Sequence, residues 1–194
     1  LFPLAVRGWR HLRLRRAGRQ RAGDHIPLSV ARRAGGLYIS PPMKRILFVC
    51  LGNICRSPAA EGVLRHRARA RGVDLVIDSA GTGGWHAGDP PDARMIRASA
   101  RRGYDISRQR ARQVELADFY SFEYLLAMDL RNHSDLLALA PPNRECDIRL
   151  FLDFANTKER ETPDPYYGGP DGFERVLDLI EQGAEGFLDH LERG

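Results

Sequence analysis

Little in these 194 residues suits a disulfide-built or membrane-spanning protein. The three cysteines, Cys50, Cys55 and Cys146, are too few for a disulfide framework, so a reducing compartment is the default. No apolar run reaches the roughly 20 residues that a membrane-crossing helix needs. There is no internal repeat and no low-complexity tract. The G-x4-G-K-[ST] loop of P-loop nucleotide hydrolases is missing together with its lysine. Cys50 and Cys55 have no second pair of ligands elsewhere, which disfavours structural zinc. Neither a metal nor a cofactor is expected.

Acid is scarce at one end only. Residues 1–42 hold nine arginines against the single acid Asp24, a net of +8, whereas residues 43–194 hold 21 Lys+Arg and 24 Asp+Glu, a net of −3. The overall +5 therefore conceals an acidic domain behind a basic leader. The leader is rich in Gly, Pro and Arg and has no sustained period. It reads as disordered, or as upstream sequence ahead of a true start at Met43; a transit peptide or an arm for nucleic acid or acidic lipid are the other readings. The acidic domain itself argues against nucleic acid as a partner.

What is present from residue 43 onward alternates between strand and helix. Lys44–Cys50 is a short, β-branched apolar run that suits a strand buried on both faces. Pro58 stands at a plausible first helical position, with helix over 59–71 ending at Gly72. Further strands are expected at 73–79, 122–128 and 148–152. Helices are expected at 93–102 with Asp92 as cap, near 114–119, at 130–139 and at 171–192. Strands separated by helices imply a three-layer α/β/α fold around a four-stranded parallel sheet, with the site at the carboxyl ends of the strands. Cys50 closes the first strand.

The segment 50-CLGNICRSP-58 is therefore a loop between a strand and a helix start. Such a loop points several backbone N–H groups inward, and with the helix dipole these bind a tetrahedral oxyanion. Gly52 admits close backbone approach, Asn53 tolerates left-handed conformations, and Arg56 offers a planar fork for two phosphate oxygens. The same field favours Cys50 as thiolate, with Ser57 placed to donate to its sulfur. A thiolate beside a bound phosphate monoester can take the phosphoryl group. Two buried structural cysteines beside a surface turn are the bland alternative.

VCLGNICRSP resembles the signature of the low-molecular-weight protein tyrosine phosphatases, and 163-PDPYYGGPDGFE-174 resembles that family's second motif, in the same order along the chain. The resemblance covers about residues 44–192. It implies a flavodoxin-like topology with the phosphate-binding loop after the first strand. It implies hydrolysis of protein phosphotyrosine and small aryl phosphates through a cysteinyl-phosphate, without metal or cofactor. Cys50 would be the nucleophile, Arg56 the phosphate clamp and Asp164 the general acid. Leu51, Gly52, Asn53, Ile54, Cys55 and Ser57 would form or hold the loop. Tyr166 and Tyr167 would wall the pocket, and Trp85 would stack on a substrate ring from the opposite side.

The same resemblance gives Cys55 a redox role, as partner of Cys50 in a reversible disulfide. Cys146 reads as structural. His86 and Asp89, beside Trp85, read as solvated loop residues or as residues that tune substrate choice, and Asp129 as a helix cap or a support of the site. One departure concerns position 109, where many bacterial relatives carry a histidine that supports the loop asparagine. Gln109 stands there, so support must come from elsewhere or be weaker. Two rivals share the fold. An arsenate reductase would need a further cysteine pair, and only Cys146 remains; a protein arginine phosphatase tends to carry threonine where this chain has Ile54. The resemblance implies phosphotyrosine proteins as partners, either a bacterial tyrosine kinase met in the cytoplasm or host proteins met after release by a route without a signal peptide, and a monomer or weak dimer is expected.

Overall fold

The structure, a computed structural model, describes residues 43–193. The expectations for residues 1–42 lie outside the described residues. Four parallel strands, β1 (Lys44–Cys50), β2 (Leu75–Gly81), β3 (Tyr124–Ala127) and β4 (Asp147–Leu150), form one sheet in the order β2-β1-β3-β4. The helices are α1 (Arg56–Arg71), α2 (Ala93–Arg101), α3 (Asp118–Ser121), α4 (Leu130–Leu139) and α5 (Pro170–Arg193). The expected three-layer, flavodoxin-like arrangement is borne out. The chain moves from β1 outward to β2, then back across to β3, so the order reverses beside the end of β1. That reversal opens a crevice at the carboxyl edge, where ligands bind in such sheets.

The alternation of side chains along β1 builds both layers of core. Ile46, Phe48 and Cys50 face one way and pack with α1, α2 and α5. Leu47 and Val49 face the other way and pack with Phe119, Phe122 and Leu136. Each large apolar side chain buried in this way contributes about 1.5–3 kcal/mol. Phe48 meets Phe151 edge-on, 4.9 Å between ring centroids.

Several boundaries moved, and β3 covers 124–127 where 122–128 was expected. α1 starts at Arg56 rather than at Pro58. β2 runs two residues later than expected because Ala80 and Gly81 pair with Val49 and Cys50, while the N–H of Val73 is taken by Ala68 at the end of α1. The short helix expected near 114–119 lies at 118–121, since residues 112–114 run alongside Gly81: its N–H donates to Arg112 and its carbonyl accepts from Val114. β4 ends at Leu150, and Phe151–Phe154 turns into a 3-10 helix that seats Phe151 under α5. Asp92 caps α2 as expected, accepting from the Arg94 N–H at 2.7 Å.

Candidate active site

The loop after β1 leads into an α1 whose N-terminus has no side-chain cap and no acid in its first turn. Among the described residues, the N–H groups of Leu51, Gly52, Ile54 and Cys55 donate to no protein acceptor. Four loop donors and an uncapped helix end thus converge on one crevice, the arrangement that binds an oxyanion. Among the described residues, Asn53 is the one non-glycine residue with positive φ, at 54°. That turn directs its N–H to the Cys50 Sγ at 3.2 Å.

The side chain of Asn53 lies under the loop, almost fully buried. Its Nδ2 donates to Ser57 Oγ and to Ser79 Oγ, both at 2.9 Å, and its Oδ1 accepts from the Arg112 N–H at 2.9 Å. Ser79 Oγ in turn donates to Glu61 Oε2 at 2.7 Å, and Arg65 occupies Oε1 at 2.6 Å. These partners leave little choice of proton positions. The carboxylate only accepts, so Ser79 donates to it and accepts from Asn53. Asn53 spends both amide protons, so Ser57 accepts and has its own proton for the Cys50 sulfur, 3.1 Å away, or for the Ala80 carbonyl at 3.3 Å. Burial pushes the Glu61 carboxyl above its ordinary value, while Ser79 and Arg65 oppose the rise.

Arg56 is 3% exposed. Its Nη1 donates to Asp129 Oδ2 at 2.6 Å and to the Thr162 carbonyl at 3.1 Å; its Nη2 donates to Asp164 Oδ2 at 3.3 Å. Burial works against the charge, but Cys50, Asp129 and Asp164 outweigh it and raise the pKa, so the group stays a guanidinium. Among the described residues its Nε–H meets no acceptor, which leaves one edge of the fork for a ligand. Asp129 does both things weighed for it: Oδ1 caps α4 through the Asn132 N–H at 2.7 Å, while Oδ2 holds Arg56. Asp164 Oδ1 accepts from the Tyr166 N–H at 3.1 Å, which shapes the turn that carries both residues.

The pocket above this floor has a volume of about 220 Å³ and is lined by Cys50, Leu51, Gly52, Ile54, Cys55, Arg56, Trp85, His86, Asp164, Tyr166 and Tyr167. It is below the roughly 300–1,000 Å³ typical of drug-sized ligands, so it suits one ring and its phosphate. Trp85 is 66% exposed and Tyr167 94% exposed, so both stand at the mouth. Nine expected site residues and the expected acid Asp164 are thus brought to one place. Asn53 and Ser57 are not in the lining; they hold the loop from behind.

His86, read as a solvated loop residue or a tuner of substrate choice, lines the pocket. Its ring lies over Gly52, where an added Cβ would come within 3.1 Å of Cδ2, and its Nδ1 is 3.0 Å from Asp89 Oδ2. A His in a Gly-rich loop next to an expected pocket aromatic was the available signal. Glu61 and Ser79 were missed; a lone acid among Ala59, Ala60, Val63 and Leu64 on a buried helix face was the hint. The support missing at position 109 is supplied by Ser79 and the Arg112 N–H, while the Gln109 amide is buried without a hydrogen-bond partner among the described residues. Burial, with Asp92 and Cys50 nearby, pushes the Cys55 thiol far up, so Cys55 is a thiol beside the pocket. Among the described residues no cluster of three or more His, Cys, Asp or Glu could hold a metal ion.

The family model described as low molecular weight phosphotyrosine protein phosphatase matches residues 45–194. A low molecular weight protein-tyrosine-phosphatase of Bacillus subtilis, YfkJ, is 40% identical over 154 residues, 78% of this chain and 97% of its own length. The crystal structure of a protein tyrosine phosphatase from Entamoeba histolytica superposes with a TM-score of 0.75 at 42% identity, covering 78% of this chain and 98% of that one. A structure described as a drosophila arginine phosphatase superposes at 0.73 with 36% identity, over 77% and 98% of the two chains.

Proposed function

The chain belongs to the low molecular weight phosphotyrosine protein phosphatase family and is an enzyme of that type, and from that premise we propose how its residues divide the work. The carrying observation is the Cys50 sulfur at the floor of a loop whose N–H donors and whose Arg56 Nε–H have no protein acceptor among the described residues. A phosphate monoester fits that demand: its oxygens take the loop N–H groups and the free edge of Arg56. The Cys50 thiolate attacks phosphorus while the P–O bond to the phenol breaks. Asp164, protonated, gives its proton to the leaving oxygen. Asp164 then takes a proton from water, whose oxygen attacks the cysteinyl-phosphate and releases inorganic phosphate and the thiolate. Ser57, oriented through Asn53 and Ser79, stabilises that thiolate in both steps.

Trp85 and Tyr167 clamp the substrate ring from two sides, and Tyr166 closes the wall. Cys55 acts as a redox partner: a peroxide oxidises Cys50 to a sulfenic acid, the Cys55 sulfur attacks that sulfur, and water leaves as a reversible disulfide forms. Residues 43–194 carry the activity, and the family match over 45–194 supports that division. Its substrates are phosphotyrosine proteins; a bacterial tyrosine kinase, met in the cytoplasm by a monomer or weak dimer, fits a small domain with three free thiols.

The test is phosphate release from a phosphotyrosine peptide, without added metal, by the parent and by Cys50→Ser. Release should drop by about 10⁴-fold or more in the variant. A folded, reduced parent that releases nothing from the peptide yet cleaves phosphoarginine or reduces arsenate would overturn the reading.

A further inference from the structure

Beside the catalytic pocket lies a second hollow, lined by Arg94, Arg97, Ala98, Arg101, Gly168 and Phe173. Its lining holds three guanidinium groups and no carboxylate. Positions 94, 97 and 101 fall on one face of α2, so the three arginines point the same way. The surrounding domain is net acidic, so the concentration of positive charge is local. We propose that this hollow is a subsite for an acidic side chain, Asp or Glu, of the substrate peptide a few residues from its phosphotyrosine. The inference rests on the phosphotyrosine reading above and adds to it a preference among peptides.

The two pockets share a wall. Arg94 lies over the Tyr166 ring at 5.3 Å and over the Phe173 ring at 4.8 Å, and Tyr166 lines the catalytic pocket. Arg94 is already committed, because Asp92 accepts from its Nε at 3.0 Å and from its Nη2 at 2.8 Å. It therefore serves as the fixed partition. Arg101 gives one N–H to Glu174, which it shares with Arg102. Arg97 is exposed and makes no ion pair among the described residues. The charge left over is thus centred on Arg97, with Arg101 half-used beside it.

Reach is consistent with a peptide that crosses the tyrosine wall. The seven steps of α2 from Arg94 to Arg101 rise about 10 Å. An extended peptide advances about 3.3 Å per residue, so two to four residues past the shared Arg94–Tyr166 wall span that stretch. An exposed charge contact of this kind is modest and salt-sensitive, so it tunes selection among substrates and leaves the chemical step alone.

The experiment compares kcat/KM of the full chain on p-nitrophenyl phosphate, on a phosphotyrosine peptide with neutral flanks, and on one with Asp or Glu at two to four residues. The acidic peptide should be favoured about fivefold at low salt, mainly through KM. Arg97→Glu should abolish that preference, Arg97→Lys should keep most of it, and about 0.5 M salt should erase it. All three proteins should treat p-nitrophenyl phosphate alike. Equal kcat/KM for the two peptides in the parent would overturn the subsite and leave the phosphatase reading standing. So would an equal loss on all three substrates in Arg97→Glu. No hydrolysis of either peptide would remove the phosphotyrosine reading and the subsite with it.

Discussion

Asn53 joins two separable loads, a left-handed backbone and three side-chain hydrogen bonds, and replacing it by Gly and by Ala tells them apart. Both replacements delete the contacts to Ser57, Ser79 and the Arg112 N–H. At about 1 kcal/mol per hydrogen bond the shared loss is about 3 kcal/mol. Only alanine also meets the cost of φ at 54°. That cost is about 1–2 kcal/mol, offset by the 0.4–1 kcal/mol that the more flexible glycine gives to the unfolded chain. Alanine should therefore be the less stable of the two by about 0.5–1 kcal/mol. Urea unfolding of the three proteins gives the order parent, Asn53→Gly, Asn53→Ala. Activity on an aryl phosphate should fall by about 100-fold in both, because Ser57 loses the donor that orients it and the loop loses its anchor. Asn53→Ala as stable as the parent would refute the network. Asn53→Ala more stable than Asn53→Gly would refute the strain at this position.

Two further predictions concern stability away from the sulfur. Asp92 caps α2 and pairs with Arg94; that side-chain contact, against some opposition from burial, holds its carboxyl below the ordinary value. Its contribution is complete above the unfolded carboxylate pKa of about 4 and is lost as pH falls through the depressed folded value. Asp92→Ala should cost about 1 kcal/mol at pH 7, and its gap to the parent should close in denaturant melts as pH drops below about 4; a gap that stays constant would exclude the ionised side chain as its source. Gly186 sits on α5 where an added Cβ would collide with the Phe154 carbonyl oxygen and would meet its carbon at 2.8 Å. Gly186→Ala should lower stability by about 3 kcal/mol, read as a fall in Tm, since backbone rather than a flexible side chain must move; an unchanged Tm would contradict the packing of the 3-10 turn on α5.

Much of the framework was legible because its causes are local. The apolar run of Lys44–Cys50, the Asp92 cap, the helix of 130–139 before Pro141 and the long amphipathic closing helix need only neighbours within a turn or two. The same holds for the loop itself: residues 50–56 carry the nucleophile, the donors and the clamp in seven consecutive positions, so their chemistry follows from spacing. Asp164 is a different case. Its residue type was visible, but only a second motif of a known family pointed to it, because 108 positions separate it from Arg56.

What sequence alone could not decide are the partners that meet across the sheet. Ser79 reaches Asn53 because β2 pairs in parallel with β1 in one particular register, Phe48 opposite Ser79. Shifting that register by one residue would turn Ser79 to the other face. Asp129 reaches Arg56 because β3 lies on the far side of β1, with Ala127 opposite Val49. Glu61 is an acid on a buried face, intelligible only once Ser79 and Arg65 are in place around it. Arg97 is one arginine among many along the chain until α2 is seen against the tyrosine loop. Propensity and spacing act over a few residues, whereas these contacts, the Glu61–Arg65 pair within α1 apart, join segments 18 to 108 positions apart. Their geometry is set by strand order and register, which the packing of both core layers selects together.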